Sequence, residues 1–241
     1  MDHLNTLVIA TRNKGKIEEI LDLLDGFPIA IKSLEDFGPI PAVEEDGQTF
    51  HENAYIKASV TSRILGFPTL ADDSGLVVEA LNGAPGVYSA RYAGEHATDQ
   101  QRCGKLLREM HHVTNRKAAF ECVISIAVPT GAALTYEARC EGEITAQPAG
   151  ENGFGYDPVF YYPPLKKTFA ELTRAEKSRV SHRGKALRAL RDEFDKVLAW
   201  IRQQMPVAEK FICEGTDTNH SNKIELNTTA VKTPQEKEKQ T

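Results

Sequence analysis

The sequence predicts an α/β protein built on a mixed β-sheet, and three observations carry that prediction. An apolar run, Leu7–Ala10, passes through a polar loop into a helix-periodic stretch, the succession of a parallel β–α unit. A second helical stretch, from Thr49 to about Leu65, leads into another buried strand at Pro68–Ala71. Ala118–Val128 and Leu134–Cys140, joined by Pro129-Thr130-Gly131-Ala132, then read as a β-hairpin, so the sheet is not purely parallel.

In chain order, Leu7-Val8-Ile9-Ala10 forms the first strand. Thr11-Arg12-Asn13-Lys14-Gly15-Lys16 is a polar loop. Ile17, Ile20, Leu21 and Leu24 then recur at the spacing of one helix face. A strand, a basic loop and a helix N-terminus together suit an anion, because free N–H groups and the helix dipole favour phosphate there. Lys14 and Lys16 add charge, and Gly15 permits close backbone approach. It is not a Walker A loop: the first glycine is missing and no Ser or Thr follows Lys16. The alternative is a solvated basic turn. Ile29–Ile31 predicts a second strand, and Glu44-Glu45-Asp46-Gly47 an acidic turn. Thr49 and Glu52 form a capping box. They open a helix that ends at Gly66-Phe67-Pro68 and sets Asn53 and Lys57 one turn apart.

The densest chemistry follows. The strand Pro68–Ala71 is expected to stop at Asp72-Asp73-Ser74-Gly75. Ligands collect outside the carboxyl ends of strands in open α/β sheets. Paired carboxylates there suit a hard cation such as Mg2+, and one of them suits proton abstraction from water. The alternative is an Asx-type turn with surface acids. The chain resumes as a strand at Leu76–Ala80 and passes through the small-residue loop Gly83–Tyr92. A second capping box, Thr98 with Gln101, opens a helix with Cys103, Leu106, Leu107 and Met110 on one face. Gly153-Phe154-Gly155-Tyr156-Asp157-Pro158 holds an aromatic between glycines, fit to stack on a base or to pack under a tight turn. Ser181 reads as an N-cap, which gathers Lys177, His182 and Arg183 around a helix start. Leu187, Leu190, Phe194, Val197 and Ile201 predict one long final helix.

At 241 residues, 41% hydrophobic and 26% charged, the chain suits one large domain or two small lobes. A net charge of −5 and a pI near 5.8 argue against a protein that grips nucleic acid through a basic face. No apolar stretch reaches membrane-span length and no signal peptide is visible, so a cytoplasmic protein is expected. Cys103, Cys122, Cys140 and Cys213 form no CxxC pair, so zinc is not expected. Cys122 and Cys140 lie symmetrically about Gly131, a placement open to their facing each other across the hairpin, and are expected to be two small buried thiols. From Pro206 the composition turns polar. Residues 1–205 are therefore expected to form the domain and 206–241 a disordered tail.

An ordered set of motifs carries a resemblance. Thr11–Lys16, Glu44-Glu45, Glu52-Asn53-Ala54 with Lys57, Ala71–Gly75, Gly83–Tyr92, Gly153–Pro158 and Ser181–Gly184 together resemble the non-canonical purine NTP pyrophosphatases, the dITP/XTP pyrophosphatases or inosine triphosphatases. The resemblance spans about residues 5–203. It implies an elongated mixed sheet with flanking helices, two lobes and a central cleft, a homodimer, and dependence on Mg2+. It implies hydrolysis of ITP, dITP or XTP to the monophosphate and pyrophosphate. By motif, Asp73 resembles the general base and metal-linked carboxylate, with Asp72 and Glu44 or Glu45 as acidic neighbours of the cation. Thr11, Arg12, Asn13, Lys14, Gly15, Lys16 and Lys57 match triphosphate-binding positions, and Ser74 a substrate contact. Phe154, Gly155, Tyr156, Asp157, Lys177, His182 and Arg183 match nucleoside and base contacts. Arg12 departs from the pattern, since relatives often carry glycine there. Lys177, His182 and Arg183 would donate to a purine 6-oxo group and oppose the adenine amino group.

Two other functions use the same parts. A regulatory module would bind purine triphosphates without turnover, but a cluster of acids beside a triphosphate weakens binding alone. A related pyrophosphatase would act on modified pyrimidine or methylated nucleotides.

Overall fold

The structure, a computed structural model, describes residues 4–205. The expected tail and Cys213 lie outside the described residues. In chain order the elements are β1 (Thr6–Ile9), α1 (Lys14–Leu24), β2 (Ala30–Ser33), α2 (Phe50–Leu65), β3 (Thr69–Val78), α3 (Asp99–Glu109), β4 (Lys117–Ala127), β5 (Ala133–Ile144), β6 (Phe160–Tyr162), β7 (Lys167–Thr168), α4 (Arg174–Val180), α5 (His182–Asp192) and α6 (Phe194–Gln204). The strands form one seven-stranded sheet in the order β2-β1-β3-β4-β5-β6-β7. β1 runs parallel to β2 and β3, and the remaining pairs are antiparallel. The mixed α/β class is thus as expected.

Local signals account for the helices. Asn13 caps α1, its Oδ1 accepting from the Lys16 N–H at 3.2 Å. Ile20 and Leu24 are buried, but Leu21 is 42% exposed, so the buried stripe of α1 is narrower than the periodicity implied. The Thr49–Glu52 capping box opens α2, and Gly66 closes it at φ 74°, a conformation that costs glycine little. Such an N-cap contributes about 1 kcal/mol.

β3 does not stop at Asp72. Asp, Ser and Gly disfavour strands on their own, and pairing overrides that preference. β4 matches β3 residue for residue, from Thr69 opposite Ala127 to Val78 opposite Ala118. On the other edge β1 reaches only as far as Leu70. Beyond it the 3-10 turn Gly86–Arg91 closes on the open edge. Ser89 Oγ accepts from the Leu76 N–H at 2.9 Å and donates to the Gly86 carbonyl at 2.6 Å. Glycine is required at position 75, because a Cβ there would lie 2.5 Å from both Gly86 O and Ser89 Oγ.

The hydrophobic core divides into two principal clusters. Leu7, Ile9, Ile20, Leu70, Leu187 and Phe194 belong to one. Leu76, Leu106, Phe120, Phe160 and Phe169 belong to the other. β3 supplies Leu70 to the first and Leu76 to the second, so Asp72–Ser74 lie at the seam between them. Buried charges at such a seam persist only where partners satisfy them.

Two readings of the sequence need correction. Cys122 lies opposite Ala138 and Cys140 opposite Phe120, because the hairpin pivots at Thr130, one position before Gly131. The thiols therefore do not face each other, although Cys103, Cys122 and Cys140 are all free and buried. The final helix is broken at Glu193 into α5 and α6, whose apolar residues nonetheless share one cluster.

Candidate active site

Side chains alternate along a strand, so Asp72 and Asp73 point to opposite faces of β3. Asp72 shares its face with Leu70, Ser74 and Leu76, toward α1 and α5. Its Oδ2 lies 2.8 Å from Lys16 Nζ and accepts from Ser74 Oγ at 3.2 Å and from Arg183 Nε at 3.3 Å. Burial alone would raise this carboxyl, but the charges of Lys16, Arg183 and Lys57 outweigh it and hold Asp72 well below the usual carboxylate range. Arg183 is itself buried and committed. It donates from Nη2 to Ser74 Oγ at 2.9 Å and from Nη1 to Glu19 Oε2 at 3.1 Å.

Asp73 faces α2. Lys57 Nζ donates to its Oδ1 at 3.2 Å and to Glu45 Oε2 at 3.1 Å. Burial raises the Asp73 carboxyl, and Glu45 adds to the rise against the opposing pull of Lys57. Its second oxygen, Oδ2, is buried with no hydrogen-bond partner among the described residues. Glu45 turns inward to Lys57, whereas Glu44 is exposed. The acids expected to form one cluster are therefore split by the sheet: Asp73 and Glu45 meet at Lys57, while Asp72 belongs to the other side.

A cavity of about 320 Å³ opens over this second group, lined by Thr11, Arg12, Lys16, Glu45, Lys57 and Asp73 among others. Arg12 Nη2 donates to the Ile40 carbonyl at 2.8 Å, tying the loop that carries Glu45 to the loop after β1. Lys14 is exposed and lines neither this cavity nor its neighbour. A Cβ on Gly15 would meet Asn13 Oδ1 at 3.4 Å and Phe154 Cε1 at 3.9 Å, ordinary contacts that do not by themselves demand glycine.

The neighbouring cavity, of about 300 Å³, shares Lys16, Ser74 and Ala90 with the first. Its walls include Phe154, Lys177, His182 and Arg183. Phe154 is 36% exposed, so the aromatic between glycines is not core. Lys177 Nζ lies 4.5 Å from its ring centroid. Asp157 accepts from the Phe154 N–H at 2.8 Å and pairs with Lys177. A Cβ on Gly153, at φ 79°, would collide with Asp157 Oδ2 at 2.0 Å. Tyr156 is buried and donates to the Ser89 carbonyl at 2.8 Å, which ties this loop to the turn over β3. His182 stacks on Phe120 with centroids 4.7 Å apart. Burial, reinforced by Arg183 and Lys177, drives it well below the ordinary histidine value, so the ring is neutral. Its Nδ1 is buried with no partner among the described residues.

Most of the residues singled out in the sequence line these two adjoining cavities, whereas Lys14, Gly15, Glu44 and Asp72 line neither. Sequence reasoning missed Glu19, Ser89, Asp99 and Arg102. Ser89 lies in the small-residue loop and Asp99 in the Thr98–Gln101 capping box, but the contacts that bring these residues to the site, Glu19 to Arg183, Ser89 to Leu76, Asp99 to Gly155 and Arg102 to Ala90, form only through the fold.

The profile of the Ham1 family matches residues 7–193. The chain belongs to the Ham1 family. The dITP/XTP pyrophosphatase of Syntrophobacter fumaroxidans is 60% identical over 201 residues, 83% of this chain and 86% of that protein. The dITP/XTP pyrophosphatase of Desulfotalea psychrophila is 56% identical over 199 residues, covering 83% and 89%. Among solved structures, a HAM1 protein from Coxiella burnetii is similar with a TM-score of 0.76 at 44% identity, over 79% of this chain and 98% of that one. The Ham1 protein of Staphylococcus aureus gives 0.74 at 42% identity, over 80% and 99%. No described helix of this Ham1 chain is long and apolar enough to cross a membrane.

Proposed function

We propose that this protein hydrolyses the non-canonical purine triphosphates ITP, dITP and XTP to the monophosphate and pyrophosphate. The observation that carries it is the pair of adjoining cavities. One has an exposed aromatic and donors suited to a purine, the other lysines suited to phosphates and acids suited to a cation, and they meet at Lys16, Ser74 and Ala90. High identity to two dITP/XTP pyrophosphatases supports the same substrates.

The residues act as follows. Phe154 stacks on the base. Lys16 and Lys57 offset the triphosphate charge, with free N–H groups at the start of α1. Asp73, its pKa raised by burial, takes a proton from the attacking water. The water oxygen bonds to the α-phosphorus, the bond to the bridging oxygen breaks, and pyrophosphate leaves. Asp72 fixes Lys16 and Arg183 from the other face.

The donor set also fits a divalent cation. The unpartnered Asp73 Oδ2 and the inward Glu45 are hard oxygen ligands of the kind Mg2+ prefers. Asp73 and Glu45 would hold the ion, which when bound supplies charge stabilisation for the leaving pyrophosphate. A homodimer follows from the family resemblance alone. Light scattering of the purified protein tests the assembly. The activity is tested by incubating the protein with a nucleotide panel and Mg2+ and separating the products by ion exchange. ITP should yield IMP and pyrophosphate; accumulation of IDP with orthophosphate would contradict the assignment.

A further inference from the structure

Asp99 and Arg102 stand on the first turn of α3, and both line the cavity that holds Phe154. Asp99 Oδ2 accepts from the Gly155 N–H at 2.7 Å. Its Oδ1 pairs with Arg102 Nη2. Arg102 Nη1 in turn donates to the Ala90 carbonyl at 3.0 Å and the Ala97 carbonyl at 2.5 Å. One continuous chain of contacts therefore runs from Gly155 through Asp99 and Arg102 to Ala90. It is a second link, beside the Tyr156–Ser89 hydrogen bond, between the loop that presents Phe154 and the turn over β3.

The Phe154 loop needs such a tie. Gly153 and Gly155 flank the ring at φ 79° and 64°, and a segment with glycines on both sides deforms at little cost. Asp157 pins the N–H of Phe154 from the buried side. Asp99 pins the next N–H from α3. Asp99 is 44% exposed and Arg102 18%, so their ion pair contributes little to global stability. Its effect falls on geometry instead.

We infer that the Asp99–Arg102 pair is a positioning brace that sets the gap between Phe154 and Ala90, and with it the fit of the nucleoside but not of the phosphates. The inference rests on the assignment of this cavity to the nucleoside. Neither residue touches the reacting atoms.

The test is calorimetric titration of the wild type, Asp99→Ala, Asp99→Asn, Arg102→Ala and the Asp99→Ala/Arg102→Ala double variant. Each is titrated with IMP and, separately, with inorganic pyrophosphate. Each single alanine variant should weaken IMP about tenfold, and the double variant by no more than about twofold further, because both break the same chain. Asp99→Asn, which keeps an acceptor for Gly155, should recover part of the loss. Pyrophosphate affinity should hold within about twofold, and steady-state kinetics should show a raised KM for ITP at nearly unchanged kcat. Unchanged IMP affinity in Asp99→Ala, fully additive losses, or equal losses for IMP and pyrophosphate would overturn the brace. A wild-type protein that binds pyrophosphate but not IMP would overturn the nucleoside assignment and the brace with it, an outcome distinct from a variant that binds IMP normally.

Discussion

Asp72 and Asp73 are adjacent in sequence yet serve opposite faces of one strand: Asp72 lies 2.8 Å from Lys16, and Asp73 lies 3.2 Å from Lys57. Their environments push their pKa values apart, Asp72 down and Asp73 up. Carboxylates separated this way take different roles.

Substitution should separate those roles. Asp73→Asn keeps the shape but removes the base, and kcat should fall by about a hundredfold or more. Asp72→Asn leaves Lys16 and Arg183 facing a neutral partner at a buried site, where breaking a pair typically costs ~3–5 kcal/mol. Its chief effect should be a lower thermal midpoint. Calorimetry and steady-state kinetics on both variants check this. A destabilised Asp73→Asn beside a fully stable Asp72→Asn would reverse the assignment.

The same shift fixes a pH dependence. The folded pKa of Asp73 is raised, so its protonated form favours folding at low pH, and that contribution is lost as pH rises through the folded value. The thermal midpoint of Asp73→Asn relative to wild type should therefore climb between about pH 4, the ordinary carboxylate range, and neutrality. A relative midpoint that falls over this window would contradict the raised pKa.

Phe154→Ala should raise KM for ITP by roughly ten- to a hundredfold, since a base–aromatic stack is worth ~1–3 kcal/mol. The change in kcat should be small. A variant with wild-type KM would show that the ring does not meet the base.

Under the proposed function, base selectivity rests on the donors of Lys177, His182 and Arg183, which line one cavity. Arg183 donates to Asp72, Ser74 and Glu19 and Lys177 pairs with Asp157, so each reaches a purine edge only with the N–H groups those contacts leave over. Donors of this kind would oppose an adenine amino group, so kcat/KM for ATP should lie ~10⁴-fold below that for ITP. Lys177→Met should narrow the ratio. GTP shares the 6-oxo group and should be rejected less sharply. ATP turnover within about tenfold of ITP would break the donor argument.

Much of this was legible in the sequence because the signals were local. The capping boxes at Thr49, Thr98 and the cap at Ser181 form as read, since each depends on residues three apart or fewer. The strand through Asp72–Gly75 was not legible, because β4 imposes it from far along the chain. That error hid the split of the carboxylates, since a strand end would have let them cluster. The committed state of Arg183 was hidden for the same reason: Glu19, Asp72 and Ser74 reach it only through the fold. The break at Glu193 escaped because α5 and α6 keep one apolar face across it.

In the proposed reaction water attacks the α-phosphorus of the triphosphate. Turnover of ITP in heavy-oxygen water, followed by mass spectrometry of both products, tests it most directly. Attack at the α-phosphorus puts one heavy oxygen in the phosphate of IMP and none in pyrophosphate. Label in pyrophosphate, or release of labelled orthophosphate with IDP, would contradict it.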